Sequence, residues 1–489
     1  MHNRSMFKSL AVLLVLGVLA GCGAPAAPTA TPKPQPTAVP QATAVPQATG
    51  WTIRPPAEAK INWRQEAGKT LTIAMTPHPY TNALDAMKSE FEELTGIKVN
   101  IVTNPDTATQ TKITNDLASG TGEFDVFFSG HTWDWNYWPH FVAYEEYLND
   151  PTLTDLEWYN LEDYYPQMLE SVTWDGVEGH KLGTGKIKNL PVTMETYILA
   201  YRKDLFDKYG VKVPTTWQEV FDAAEKLTVV DNGVQVYGFT STGIASAYRI
   251  FMTNFHNIYL GQGVNPVDEN FDSHFDDPKV VPLIKGYLDT MKNYGPPGVN
   301  TNNWNAVVSG IATGQVAMVI DGDFAAATYE NPEASQVAGK MAYAPAPAGP
   351  NGRFSGTWYW GLAMNEFSKN KKAAWLFVEW ATSAHTLREA AAVQRSFDPP
   401  RESVMNSPEV AALVKDWGDG SWMTTVKEAL ANYTAMRFQT QGQVTGDWSK
   451  QVGGFLTQYF EGKITIEGAL KSATDASNKI YDDKGLRKP

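Results

Sequence analysis

With 489 residues and a formal charge of −13, the chain is long enough for two or three domains. Its acidity argues against nucleic acid and against adsorption to anionic lipid. Hydrophobic residues make up 43% of it, so a large core is available, and a single cysteine leaves no disulfide to support that core. The unusual counts are 16 Trp and 21 Tyr: amphipathic rings in such number suit a surface on which the C–H faces of sugars stack while their hydroxyls find polar partners.

Arg4 and Lys8 precede a charge-free apolar run over 10–20. That run is short for a bilayer core of about 30 Å. A basic start, a short apolar run and small residues after it describe a secretory leader over 1–21. Leu19-Ala20-Gly21-Cys22 resembles the lipobox of bacterial lipoproteins, in which cleavage precedes the cysteine and the sulfur takes a diacylglycerol. Two acyl chains anchor firmly where one is marginal. The segment 22–50 is rich in Pro, Ala and Thr and has almost no large apolar side chain, so it cannot bury enough to fold and reads as an extended tether. No later stretch is apolar enough for a transmembrane helix.

The body begins near Trp51 and alternates strands with helices. Residues 71–75 form a short apolar strand; Thr81 or Asn82 caps a helix carrying Leu84, Met87, Phe91 and Leu94 on one face; Gly96 ends it; 97–102 is the next strand. This is a βαβ unit and hence part of a parallel sheet. Residues 124–128, 195–202 and 315–320 read as further strands and 371–382 as a helix. Thr216 and Glu219 form a capping box ahead of the apolar face Trp217, Val220, Phe221, Ala224 and Leu227. The class is α/β with more than one sheet.

FEELTGIKV, GEFDVFF, LPVTMETYILAYRKDLFDKYGVKVPTTWQEVFDAAEKLT, FDDPKVV, GIATGQVAMVIDGDF, SKNKKAAWLFVEWATS and GKITIEGAL occur in the order and spacing of the family 1 extracellular solute-binding proteins of ABC importers, which this chain resembles over about 69–480. YGPPGVNTNNW and the stretch after IDGDF are similar to the branch that binds sorbitol, mannitol and related sugars. The resemblance implies a two-lobed periplasmic-binding-protein fold, with a mixed sheet flanked by helices in each lobe and a ligand cleft at the hinge. It places lobe 1 at 51–194 with 359–399 and lobe 2 at 195–358 with 400–489, with crossings near 191–196, 358–361 and 399–401. It also implies a function: an extracytoplasmic, lipid-anchored receptor on the outer face of a bacterial cell membrane. Such a receptor captures a sugar or sugar alcohol and passes it to the membrane subunits of an importer, as a monomer, without cofactor or enzymatic activity.

Ligands of open α/β sheets sit outside the carboxyl ends of strands, which selects the candidates. His78 and Tyr80 follow the first strand; they serve either the ligand or a proline-locked turn. His131 and Trp133 follow the strand at 124–128, in a cluster with Trp135 and Trp138. Two histidines so far apart, with no Cys nearby, do not make a metal site. Glu195 stands at the first crossing, where sugar-binding members often carry a contacting acid; otherwise it pairs with Lys186 or Lys188. Asp321, Asp323 and Phe324 end the strand at 315–320, and Phe324 replaces the Trp that the family commonly has. Trp358 and Trp360 lie at the second crossing and point the same way along an extended chain. Trp304 and Trp448 suit core or ligand equally. Arg401 either forks onto vicinal hydroxyls or pairs across the hinge.

The acidic run 268–277 lacks the fixed spacing of a calcium loop. No GxSxG, Walker A or HExxH pattern occurs. Two other functions stay open to test: a glycosidase, which requires two carboxylates at a set separation, and a surface lipoprotein for adhesion or sensing.

Overall fold

Residues 53–245, 247–395, 398–434 and 445–487 are described by a computed structural model of the chain. The expected leader, the lipidated Cys22 and the tether lie outside the described residues. Strand β1 (Thr70–Met75), helix α1 (Pro79–Thr95) and strand β2 (Lys98–Thr103) form the expected βαβ unit, with β1 and β2 parallel from Thr70↔Lys98 to Met75↔Thr103. The helix starts earlier than expected. Pro79 occupies its first turn, and the Tyr80 N–H donates to Nδ1 of His78, so His78 is the cap in place of Thr81 or Asn82. Proline at that position loses no helix hydrogen bond, and its fixed φ favours the turn. Gly96 closes the helix at φ 73°, as expected.

Helix α2 (Asp106–Ser119) leads to β3 (Val126–Ser129), parallel to β1, and then to the short helix α3 (His131–Tyr137). Strand β4 (Leu190–Arg202) is longer than the expected 195–202 and buried throughout. Its residues 190–196 pair antiparallel with β9 (Thr357–Met364), whereas 197–201 pair with β7 (Val316–Gly322) and 198–202 with β8 (Met341–Pro345). Strands β5 (Val229–Asp231) and β6 (Val234–Thr240) form a hairpin, and β6 runs parallel to β7. The nine strands follow the order β2-β1-β3-β9-β4-β7-β6-β5, with β8 beside β4. This is a mixed α/β sheet whose two halves share β4.

Helices cover the sheet with apolar faces. In α4 (Trp217–Lys226) the capping box forms as expected: Thr216 Oγ1 accepts the Glu219 N–H and the Glu219 carboxylate accepts the Thr216 N–H. Helix α5 (Trp304–Ala312) precedes β7, and α6 (Lys371–Ala381) is buried over most of its length. Among the described residues no helix is long and apolar enough to cross a membrane.

Candidate binding site

The carboxyl ends of β1, β2, β3 and β7 open on one cavity of about 400 Å³. The loop after β1 brings Thr76 and His78; the start of α2 brings Asp106 and Gln110; α3 brings Trp133; β4 brings Glu195; the helical turn Ala247–Ile250 brings Arg249; α5 brings Trp304; the turn after β7 brings Phe324; and β9 brings Trp358 and Trp360.

The walls are aromatic. Trp360 stacks on Phe128 at 4.9 Å and meets Trp133 edge-on at 5.2 Å and Trp358 at 6.0 Å. Trp304 and Phe324 stack at 5.1 Å. The expected alternation holds in β9: Trp358 and Trp360 face the cavity, while Tyr359 points inward and donates from its hydroxyl to Asp134 at 2.6 Å. Asp134 also accepts from Ser129 and Asn189. Burial pushes its carboxyl up to about 6, against the pull of those bonds.

Polar groups among these rings include some with no partner among the described residues. Nδ1 of His78 accepts the Tyr80 N–H, so the neutral ring carries its proton on Nε2. Burial lowers its pKa to about 4, and among the described residues Nε2 has no acceptor. The same holds for Nε1 of Trp304. Glu195 is 4% exposed. Burial pushes its carboxyl well above the usual range; Arg249 pulls it down, and Asp398, Asp321 and Asp323 push it up. Gly322 gives Glu195 its room: a Cβ there would lie 2.8 Å from Glu195 Oε2 and 2.8 Å from the Phe324 ring.

Of the candidates read from the sequence, His78, Trp133, Glu195, Trp304, Phe324, Trp358 and Trp360 meet in this cavity. Six others stand elsewhere. Tyr80 is core, with its hydroxyl donating to the Ala381 carbonyl, because the earlier helix start turns it inward. His131 is fully buried behind the wall, 4.7 Å from Trp358 and 4.4 Å from Tyr359, and burial lowers its pKa to about 3. Asp321 backs the cavity, 3.6 Å from Nη2 of Arg249. Asp323 accepts the Thr196 N–H at 2.8 Å, which fastens the turn after β7 to β4. Arg401 is fully buried between Tyr159 and Tyr164 and donates to the carbonyls of Tyr159, Asn160 and Thr382. Trp448 is core, packed on Phe251 and Phe275. Among the described residues no group of three or more His, Cys, Asp or Glu could hold a metal ion.

Sequence reading missed Arg249, Asp106 and Gln110. The strand-end rule that selected His78 also applies to Asp106, three residues past β2. Arg249 gave a fainter signal: one guanidinium inside the apolar run AYRIFM.

The model of the bacterial extracellular solute-binding proteins matches residues 78–386. The chain is 32% identical over 356 residues to the erythritol/L-threitol-binding protein of Mycolicibacterium smegmatis, spanning 71% of this chain and 73% of that one. It is 26% identical over 322 residues to a mannitol-binding protein of Pseudomonas aeruginosa, spanning 65% and 70%. A solute-binding protein of an ABC transporter from Agrobacterium vitis, solved with D-mannitol bound, superposes with a TM-score of 0.68 at 26% identity, covering 86% of this chain and 99% of that one. The chain therefore belongs to the bacterial extracellular solute-binding protein family.

Proposed function

We propose that the protein captures a small sugar alcohol or sugar and delivers it to the membrane subunits of an ABC importer, returning it chemically unchanged. The cavity carries this reading: five indole or phenyl walls surround a deep carboxyl at Glu195 and two donors, at His78 and Trp304, that have no partner among the described residues. Rings take the C–H faces of a polyhydroxylated chain, and the polar groups fix its hydroxyls. The names of the tetritol-binding and mannitol-binding relatives support the polyol class. Loading is reported by closure of two lobes, 51–194 with 359–399 and 195–358 with 400–489. The change of partners along β4 after Thr196 supports a hinge there. Two lobes that both touch one ligand favour the closed state by its differential affinity.

The receptor works as a monomer on the outer face of the membrane, held by a lipid on Cys22 and a tether of 22–50. Titration calorimetry with erythritol, L-threitol, ribitol and D-mannitol tests the ligand class. At least one is expected to bind and be recovered intact; no heat from any of them, or from neutral sugars, overturns it. Expression in a bacterium tests the anchor: the wild-type chain enters the detergent phase and Cys22→Ala does not, and a wholly aqueous wild-type chain refutes the lipid.

A further inference from the structure

Arg249 is the one cation among the described residues lining the cavity, and it is already engaged. Its Nη2 lies 3.6 Å from Asp321 Oδ1, and its Nε donates to Thr242 Oγ1 at 3.1 Å. Asp321 is 5% exposed and is held by the Gly322 N–H at 2.8 Å, so it is a fixed, desolvated partner. The other ionisable linings are acids or a histidine kept neutral: Glu195, Asp106 and His78. Behind them stand two further carboxyls, Asp323 and Asp398, both 2% exposed. The donors without partners among the described residues, His78 Nε2 and Trp304 Nε1, are neutral.

We propose that the Arg249–Asp321 pair, set beside Glu195, is the charge filter of the site: it admits uncharged polyhydroxylated ligands and turns away their anionic counterparts, sugar acids and sugar phosphates. An anion entering this space gives up its hydration, which costs much unless a counter-charge meets it. Among the described residues the one guanidinium lining the cavity is already paired with Asp321, and no other cation of the lining is there to meet the anion. A hydroxyl meets no such penalty, because neutral donors and a carboxyl acceptor satisfy it. The inference rests on the proposed function and specifies which members of the ligand class pass.

The test pairs each alditol with the aldonate of the same length (erythritol with erythronate, ribitol with ribonate, D-mannitol with mannonate) by calorimetry at pH 7.5 and low salt. For the alditol that binds, the aldonate is expected to be at least tenfold weaker. Asp321→Asn, which releases the guanidinium, should lower the aldonate-to-alditol ratio of Kd at least tenfold. Should that variant not fold, Gln110→Lys, at the partly buried rim, supplies an uncommitted cation and should lower the same ratio. An alditol and its aldonate binding wild type within threefold overturn the filter and leave the proposed function standing, as does an unchanged ratio in the folded variant. An aldonate binding where every alditol and neutral sugar fails overturns both, and no binding by any probe refutes the proposed function and the filter with it.

Discussion

Glu195 and Trp358 are directly opposed across β4 and β9. Opposed residues project from the same face of a sheet, so the carboxyl and the indole stand side by side, and both line the cavity. Strand pairing, rather than loop geometry, sets their separation, and β4 carries the same carboxyl to the point where the two halves of the sheet meet.

Glu195→Gln should weaken the bound polyol by about 1 to 3 kcal/mol, roughly five- to a hundredfold in Kd, with unequal losses across ligands that differ in hydroxyl stereochemistry. Trp358→Ala should weaken related ligands alike, because a ring face reads C–H surface and not hydroxyl pattern. Calorimetry over a set of alditols separates the two patterns; equal losses in both variants contradict these roles.

Gly322→Ala probes the packing around that carboxyl. Gly322 has φ −56° and ψ 131°, which any residue adopts, so the substitution carries no backbone strain. Its new methyl would meet Glu195 Oε2 and the Phe324 ring at 2.8 Å, and one of them must move. Ligand affinity is expected to fall at least tenfold while the melting temperature changes by only a few degrees.

Glu379 is fully buried in α6, and among the described residues neither carboxylate oxygen has a partner. Burial, with a smaller push from Asp155, raises its pKa well above the usual range. The native state therefore keeps a proton that the unfolded chain releases above about pH 4.3, so this group destabilises the fold as pH rises through that value, by at most about 1.4 kcal/mol per unit. Glu379→Met keeps the volume and removes the polar group. Thermal denaturation at pH 7.5 should show a higher melting temperature for the variant, with the gain shrinking toward pH 4.5.

His78 and His131 act in the opposite sense. Burial lowers them to about 4 and about 3, so between pH 6.5 and those values the unfolded chain binds protons that the native chain refuses, and stability is lost as pH falls. Imidazole carbon shifts in the native protein should show no titration of His131 above pH 5. His78 should remain neutral above pH 5, leaving its donor to the ligand intact. A midpoint near 6.5 for either ring refutes its buried, neutral state.

Arg401→Met should lower stability by about 3 to 5 kcal/mol, since three carbonyls and Asp163 lose their donor or counter-charge in a dry setting. Chemical denaturation measures the loss. Ligand affinity at a temperature where the variant is folded is expected to stay within threefold of wild type, as the guanidinium lies away from the cavity lining.

The sequence by itself determined the alternation of strands and helices, the capping box at Thr216 and Glu219, the glycine stop at Gly96 and the same-side pointing of Trp358 and Trp360. These follow from periodicity and local hydrogen bonding, which a short stretch of chain carries within itself. Tertiary structure decided which rings and charges line the cavity. A buried Trp in the core and a half-covered Trp on a cavity wall look alike in sequence: Trp448 packs on Phe251, and Trp304 stacks on Phe324 with its indole N–H left over among the described residues. It also placed Arg249 beside Asp321, 72 positions apart. Contacts over such separations arise only when strands and helices pack, because what fixes a side chain's partner there is the geometry of the sheet and not the residues on either side of it.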